Sequence, residues 1–336
     1  MDDIRFIDTA AGVSDAVTAL AGAASVALDL EGINLGRSGT PVLMQATAGD
    51  GTTIWLIDLA ALGAAAFDTP GADAAAGTTM RDILAHATAP TAPLGSAAPS
   101  AAADDPRSFP ELLLIDCRAD NDALWAKYGV KLDAPRVRDL QLYDVAFRAV
   151  STNRGTAPKH LQGGAKMRAA AVERGTLPPS PTFDEAAKAL FAPELGGTYD
   201  VWLARPLDET LVSYAAADVA ELHRLWAWAR NRKWLAKWQG AIDRATAERV
   251  ALCESPAFVA GDKENAFAPR MKARDAYVRV TPAARAGGGG ARAGGGRGGG
   301  SKDRRDAHRL AAGGAGGAGG GSGGAACTRR DGAARA

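Results

Sequence analysis

Cysteine is scarce in this sequence, with three in 336 residues, at positions 117, 253 and 327. An odd, widely spaced set with no C-x-x-C excludes a zinc ribbon and a disulfide-stapled scaffold, and suits a reducing compartment. Long apolar runs are missing as well. No stretch approaches the ~20 apolar residues of a membrane helix. The opening MDDIRFIDTAAG carries two acids and lacks a signal-peptide pattern. An intracellular protein with no membrane span is expected. Neither G-x-x-x-x-G-K-S/T nor a strand-linked G-x-G-x-x-G occurs, so the phosphate cradles of nucleotide-cofactor enzymes are not supported. The four histidines (His86, His160, His223, His308) have no metal-ligand spacing, and His223 reads as a helix-surface residue.

Net charge is also nearly absent, at +1, but this average hides an asymmetry. Residues 281–336 hold ten Lys and Arg against three Asp, a balance of +7, which leaves about −6 for the preceding 280 residues. An acidic body argues against broad electrostatic coating of nucleic acid and is compatible with a local acidic site that gathers metal ions. The 40 glycines crowd into the same end of the chain, where GGGGARAGGGRGGG cannot bury a core. The expected domain therefore covers residues 1–255, followed by a disordered Gly/Arg-rich tail over 256–336, through which protein partners could act. The Gly-Gly-Arg297-Gly-Gly stretch matches RNA-binding segments and plain linkers equally well in composition.

Within the body, residues 14–24 read as an amphipathic helix. Five strands are expected at 25–31, 41–47, 53–59, 111–115 and 136–142, with Ala48-Gly-Asp-Gly51 as a hairpin turn. Residues 63–110, rich in Ala, Thr, Pro, Ser and Gly, read as a low-complexity insertion containing a short helix near 79–87. Helical periodicity follows over 184–191, 207–230 and 233–253. Hairpin strands followed by strands alternating with helices make a mixed α/β sheet. Trp226, Trp228, Trp234 and Trp238 read as packing for the last helices.

Asp29 and Glu31 stand two apart on an expected strand, so both side chains leave one face. Flanked by Val26, Leu28 and Leu30, they are costly unless something cationic neutralises them, and a hard divalent ion bound through oxygen would do so. Tyr214 and Asp218 are spaced i,i+4, which puts phenol and carboxylate on one helical face. Asp120 and Leu124 form D-x-x-x-L where strand passes into helix; spacing alone leaves Asp116 and Asp122 as competitors. Cys117 has no His or Asn partner to make it a nucleophile.

In this order, D-x-E, D-x-x-x-L and Y-x-x-x-D resemble the motifs of the DEDDy 3'-5' exonucleases, a superfamily with a ribonuclease-H-like fold that includes ribonuclease D and the Werner exonuclease domain. Leu28-Asp-Leu-Glu-Gly32, Leu43-Met-Gln45, Asp116-Cys-Arg118, Tyr128-Gly-Val130, Asp139-Leu-Gln141, Trp202 and Arg205-Pro-Leu207 extend the likeness, which is nearest to the Egalitarian-like exonuclease branch and spans roughly residues 5–255. Ile115 departs from a histidine often found there. The resemblance implies a ribonuclease-H-like five-stranded mixed sheet flanked by helices. It implies that Asp29, Glu31, Asp120 and Asp218 hold two Mg2+ or Mn2+ ions, and that Tyr214 orients the attacking water. Nucleoside 5'-monophosphates would leave the 3' end of single-stranded RNA or DNA, with Glu31 also contacting the terminal 3'-hydroxyl. A catalytically silent RNA-binding adaptor of the same fold is the alternative. For substrate contacts, the expectation is Leu30, Gly32 and Met44 against the terminal nucleoside, and a basic stretch over 151–175 (Arg154, Lys159, Lys166 among others) along the backbone.

Overall fold

Successive side chains of a strand point to opposite faces of a sheet, and this alternation organises the molecule. The computed structural model describes residues 3–49, 52–72, 77–85, 109–152, 157–179 and 185–273. Six strands form one mixed sheet: β1 (Asp3–Ile7), β2 (Ser25–Ile33), β3 (Thr40–Ala48), β4 (Thr53–Asp58), β5 (Glu111–Leu114) and β6 (Val137–Asp139). Their order is β1-β4-β3-β2-β5-β6, with β3 antiparallel to both neighbours and every other pairing parallel. Among the described residues the helices are α1 (Ala10–Ala21), three short ones, α2 (Leu59–Leu62), α3 (Ala65–Asp68) and α4 (Met80–Leu84), then α5 (Arg118–Tyr128), α6 (Leu140–Ser151), α7 (Gly164–Glu173), α8 (Glu185–Phe191), α9 (Glu209–Ala220), α10 (Leu222–Arg230) and α11 (Leu235–Ala251).

Each face of the sheet has its own core. Ala27, Leu43, Ile54, Leu56 and Leu113 pack on one side beneath α6, α9, α10 and α11, with Trp202, Trp226 and Trp238 buried among them. Val26, Leu28, Leu30, Met44, Trp55 and Ile57 face the other side, against α1, α3, α4 and α5. Local chemistry sets several helix ends. Thr9 caps α1 by accepting from the Gly12 N–H, Thr79 and Asp82 form a reciprocal capping box on α4, and Gly129 ends α5 at φ 63°.

Four sequence expectations need correction. The sheet has six strands rather than five, because the short edge strand β1, with Asp3 to Phe6 exposed, joins the five expected. The strand expected over 136–142 stops at Asp139, whose carboxylate accepts from the Gln141 N–H and starts α6. Parts of the 63–110 insertion belong to the core: Phe67, Met80, Ile83 and Leu84 are fully buried, while residues 88–107 lie outside those described. The folded chain also continues past 255, since Phe258 and Met271 are buried and Met271 joins the helical-side core.

A buried ion pair ties β6 to α11. Asp139, fully buried, receives Arg249 Nη1 at 2.6 Å and the backbone N–H groups of Asp116 and Cys117 at 3.0 and 3.3 Å. It thus fixes the turn into α5, where Asp116 stands at φ 62°. Removing one partner strands the other without solvent. Asp139→Ala is expected to lower unfolding stability by ~3–5 kcal/mol in urea denaturation; a loss below ~1 kcal/mol would contradict this account of the turn.

Candidate active site

Alternation along β2 turns Asp29 and Glu31 toward the helical side, while Leu28 and Leu30 enter the opposite core. A bulge in the β2–β3 pairing falls between Glu31 and Gly32. There the backbones come so close that a Cβ on Gly32 would meet the Thr40 carbonyl oxygen at 2.2 Å. Glycine at 32 is therefore a requirement of the strand pairing. Leu30 and Met44 are cross-strand partners buried on the far face, so the expectation that they touch a terminal nucleoside is corrected by the pleat itself.

Across the cleft, α9 presents Tyr214 and Asp218 one turn apart. Carboxylate oxygens of Asp29, Glu31 and Asp218 lie within 4.8 Å of one another. These three, with Tyr214, Ile115, Leu161, Gly163, Gly164, Lys166 and Lys188, line a cleft of ≈ 470 Å³. The Tyr214 ring is held edge-on against Phe191, with centroids 5.2 Å apart, and tilted against Trp202 at 6.5 Å. Asp120 is more deeply buried, at 6% exposure, in the first turn of α5.

Burial pushes the Asp29 carboxyl well above the usual range, and the charges of Asp120, Asp218 and Glu31 push it further. Glu31 is raised by burial and then by Asp218 and Asp120. Asp120 is raised by burial and by Asp116, Asp139 and Asp218. For Asp218, burial carries the value up to about 7, against the lowering pull of Arg168 and Lys188. The four acids are thus one electrostatic unit.

Neighbouring acids behave differently. Asp122 is paired with Arg37 (2.7 Å), Asp116 with Arg118 (2.6 Å), Asp139 with Arg249 (2.6 Å) and Asp58 with Arg205 (2.6 Å). Burial alone would raise Asp58, yet the Arg205 guanidinium and two backbone N–H groups hold it below the usual range. Among the described residues, none of Asp29, Glu31, Asp120 and Asp218 forms an ion pair with a basic side chain. Asp120 thus differs from Asp116 and Asp122, each of which has an arginine partner. A set of oxygen donors that are half-buried or deeper, mutually repelling and unpaired suits a hard divalent cation.

Lys166 lines the cleft, whereas Lys159 faces a second groove and Arg154 lies outside the described residues. Lys188 was not singled out by the sequence, and Arg168 figured only as a member of the basic 151–175 stretch. Arg168 pairs with Glu221 and donates to the Ala217 carbonyl at 2.7 Å, directly behind Asp218. Only the fold brings α7 and α8 to α9, so no spacing signal could have found them. His223 is not a simple surface residue, since its ring nitrogens lie 3.1 Å from Ser25 Oγ and from the Thr47 carbonyl oxygen. Burial pushes the Cys117 thiol up, which removes it as a nucleophile.

No protein-family model matches the sequence, and no curated protein matches it. Solved structures do. Trypanosoma brucei RNase D matches with a TM-score of 0.57 and 24% identity, over 81% of this chain and 79% of that one. Its complex with GMP gives 0.57 and 24%, over 81% and 70%, and its complex with RNA U12 gives 0.55 and 23%, over 80% and 76%. At these identities the likeness concerns architecture. The chain has the fold of Trypanosoma brucei RNase D.

Proposed function

We propose that the protein is a metal-dependent 3'-5' exonuclease acting on single-stranded nucleic acid, RNA in the first instance. The observation that carries this reading is the cluster of Asp29, Glu31 and Asp218 in a cleft that Tyr214 also lines, with the buried Asp120 carboxylate electrostatically coupled to them from α5. The choice of RNA is supported by the RNA U12 and GMP complexes of the structurally similar RNase D.

Asp29, Glu31, Asp120 and Asp218 would hold the ions, which when bound acidify water and offset charge on the phosphodiester. The residues of the chain supply the rest. Tyr214, its ring packed against Phe191 and Trp202, lines the same cleft as Asp218 and would orient the attacking water as a hydrogen-bond partner. Lys166 and Lys188 give the cleft two cations able to hold the terminal phosphate, which four carboxylates would otherwise repel.

A 5'-labelled RNA strand incubated with Mn2+ should shorten stepwise from its 3' end, and chelation should stop it. Asp29→Ala or Asp218→Ala should abolish shortening, and Tyr214→Phe should slow it by roughly 10²-fold. Equal shortening by wild type and Asp29→Ala would sink the proposal.

Self-repulsion in the metal-free site also has a stability signature. A carboxyl with a raised folded-state pKa holds a proton that the unfolded chain has released, so stability falls as pH rises through the folded value, about 7 for Asp218. Metal-free Asp218→Asn should therefore melt above wild type at about pH 8, with the gain shrinking as pH falls and vanishing only near the unfolded-chain carboxyl value of about 4. Added Mn2+ should favour wild type instead. An Asn variant that is less stable than wild type by the same margin at both pH values would contradict the repulsion.

A further inference from the structure

Beyond α11 the chain turns back across the molecule. Arg118 anchors this return, donating to the Asn265 side-chain oxygen at 3.2 Å and to its backbone carbonyl at 2.8 Å. Asn265 in turn donates to the carbonyls of Val259 and Ala260 at 2.9 and 2.8 Å. After a 3-10 turn at Lys263–Ala266, the chain runs antiparallel to residues 157–161. Leu161 N–H donates to the Ala266 carbonyl (3.0 Å), Ala268 N–H to Lys159 (3.0 Å) and Ala157 N–H to Met271 (3.2 Å). Met271 closes the strap by burying its side chain in the helical-side core.

Between the two segments lies a groove of ≈ 410 Å³ whose charged lining is wholly basic, namely Lys159, Arg270 and Lys272. All three side chains are exposed, and none is paired with a carboxylate among the described residues. Lys159 also sits over the Phe267 ring at 5.7 Å, on which His160 is stacked. The segment 157–161 leads directly into the wall of the acidic cleft, which begins at Leu161 and continues through Gly163, Gly164, Ala165 and Lys166. Four residues from Lys159 to Gly163 span at most roughly 14 Å when extended. A cationic groove thus abuts an anionic cleft on a body that is acidic overall.

We propose that this groove is a holding subsite for single-stranded nucleic acid, with Lys159, Arg270 and Lys272 on the phosphates upstream of the nucleotide in the acidic cleft. The proposal rests on the exonuclease reading for its direction but not for its binding. An anionic polymer approaching four carboxylates needs cations beside them, and Lys159, Arg270 and Lys272 add to Lys166 and Lys188 of the cleft itself. The exonuclease reading sets the polarity, with the 3' end in the cleft and the preceding backbone in the groove.

The test uses the full chain carrying Arg270→Ala and Lys272→Ala. Binding of a fluorescent oligoribonucleotide is followed by anisotropy with chelator present, so that no strand is cut. Losing two phosphate contacts should weaken binding by about tenfold at low salt and flatten the log K against log salt slope by about 1.4. Arg270→Lys with Lys272→Arg should restore both. With Mn2+, the preference for a long strand over a dinucleotide should fall by a similar factor in kcat/KM. Wild-type affinity and slope in the alanine variant, or a loss that the charge-conserving variant shares, would overturn the subsite. Binding that behaves as described while wild type shortens no strand would leave the subsite standing and remove the exonuclease reading.

Discussion

Four carboxylates repel one another at one site, three of them clustered in the cleft and Asp120 buried within their field, and the rest of the structure is arranged around that repulsion. Burial raises Asp29, Glu31 and Asp120, and carries Asp218 to about 7. The surrounding acids escape this by pairing. Asp116, Asp122 and Asp139 each have an arginine, and these three pairs lock the turn that places α5. Paired acids build the frame, and unpaired acids are held apart by it. Left to themselves, the four would drive the cleft open or bind protons, and a divalent cation removes the conflict.

Strand geometry decides which groups can join. Because β2 alternates, one register puts Asp29 and Glu31 under the helices and Leu28 and Leu30 in the other core. Gly32 lets β3 approach closely just after Glu31. The helical side then completes the site from distant sequence, with α9 bringing Tyr214 and Asp218, α7 bringing Lys166 and Arg168, and α8 bringing Lys188. Arg168 connects these parts by holding Glu221 and the Ala217 carbonyl together.

Much of this was legible in the sequence where a short period carried it. Two-residue spacing placed Asp29 and Glu31 on one face, and four-residue spacing placed Tyr214 with Asp218. What escaped lacked a local signal. β1 is only five residues long and exposed along most of its length, so the brief alternation from Asp3 to Phe6 does not reveal its pairing with β4. Phe67 and Met80 sit in alanine-rich sequence whose composition suggests a loop, yet they fill the space beside α1. Met271 belongs to the core although it follows a stretch of polar turns. Leu30 and Met44, expected against the terminal nucleoside, are turned by the pleat into the opposite core. The ion pairing of Asp116 and Asp122, which Asp120 does not share, is a property of the folded chain alone.

The central claim is that these carboxylates exist to hold divalent cations. Calorimetric titration of Mn2+ into metal-free protein, near pH 7 and in two buffers of different ionisation heat, measures binding and proton release together. Saturable binding with net release of protons, lost in Asp29→Asn, is the predicted result. No binding, or binding unchanged in that variant, would contradict it.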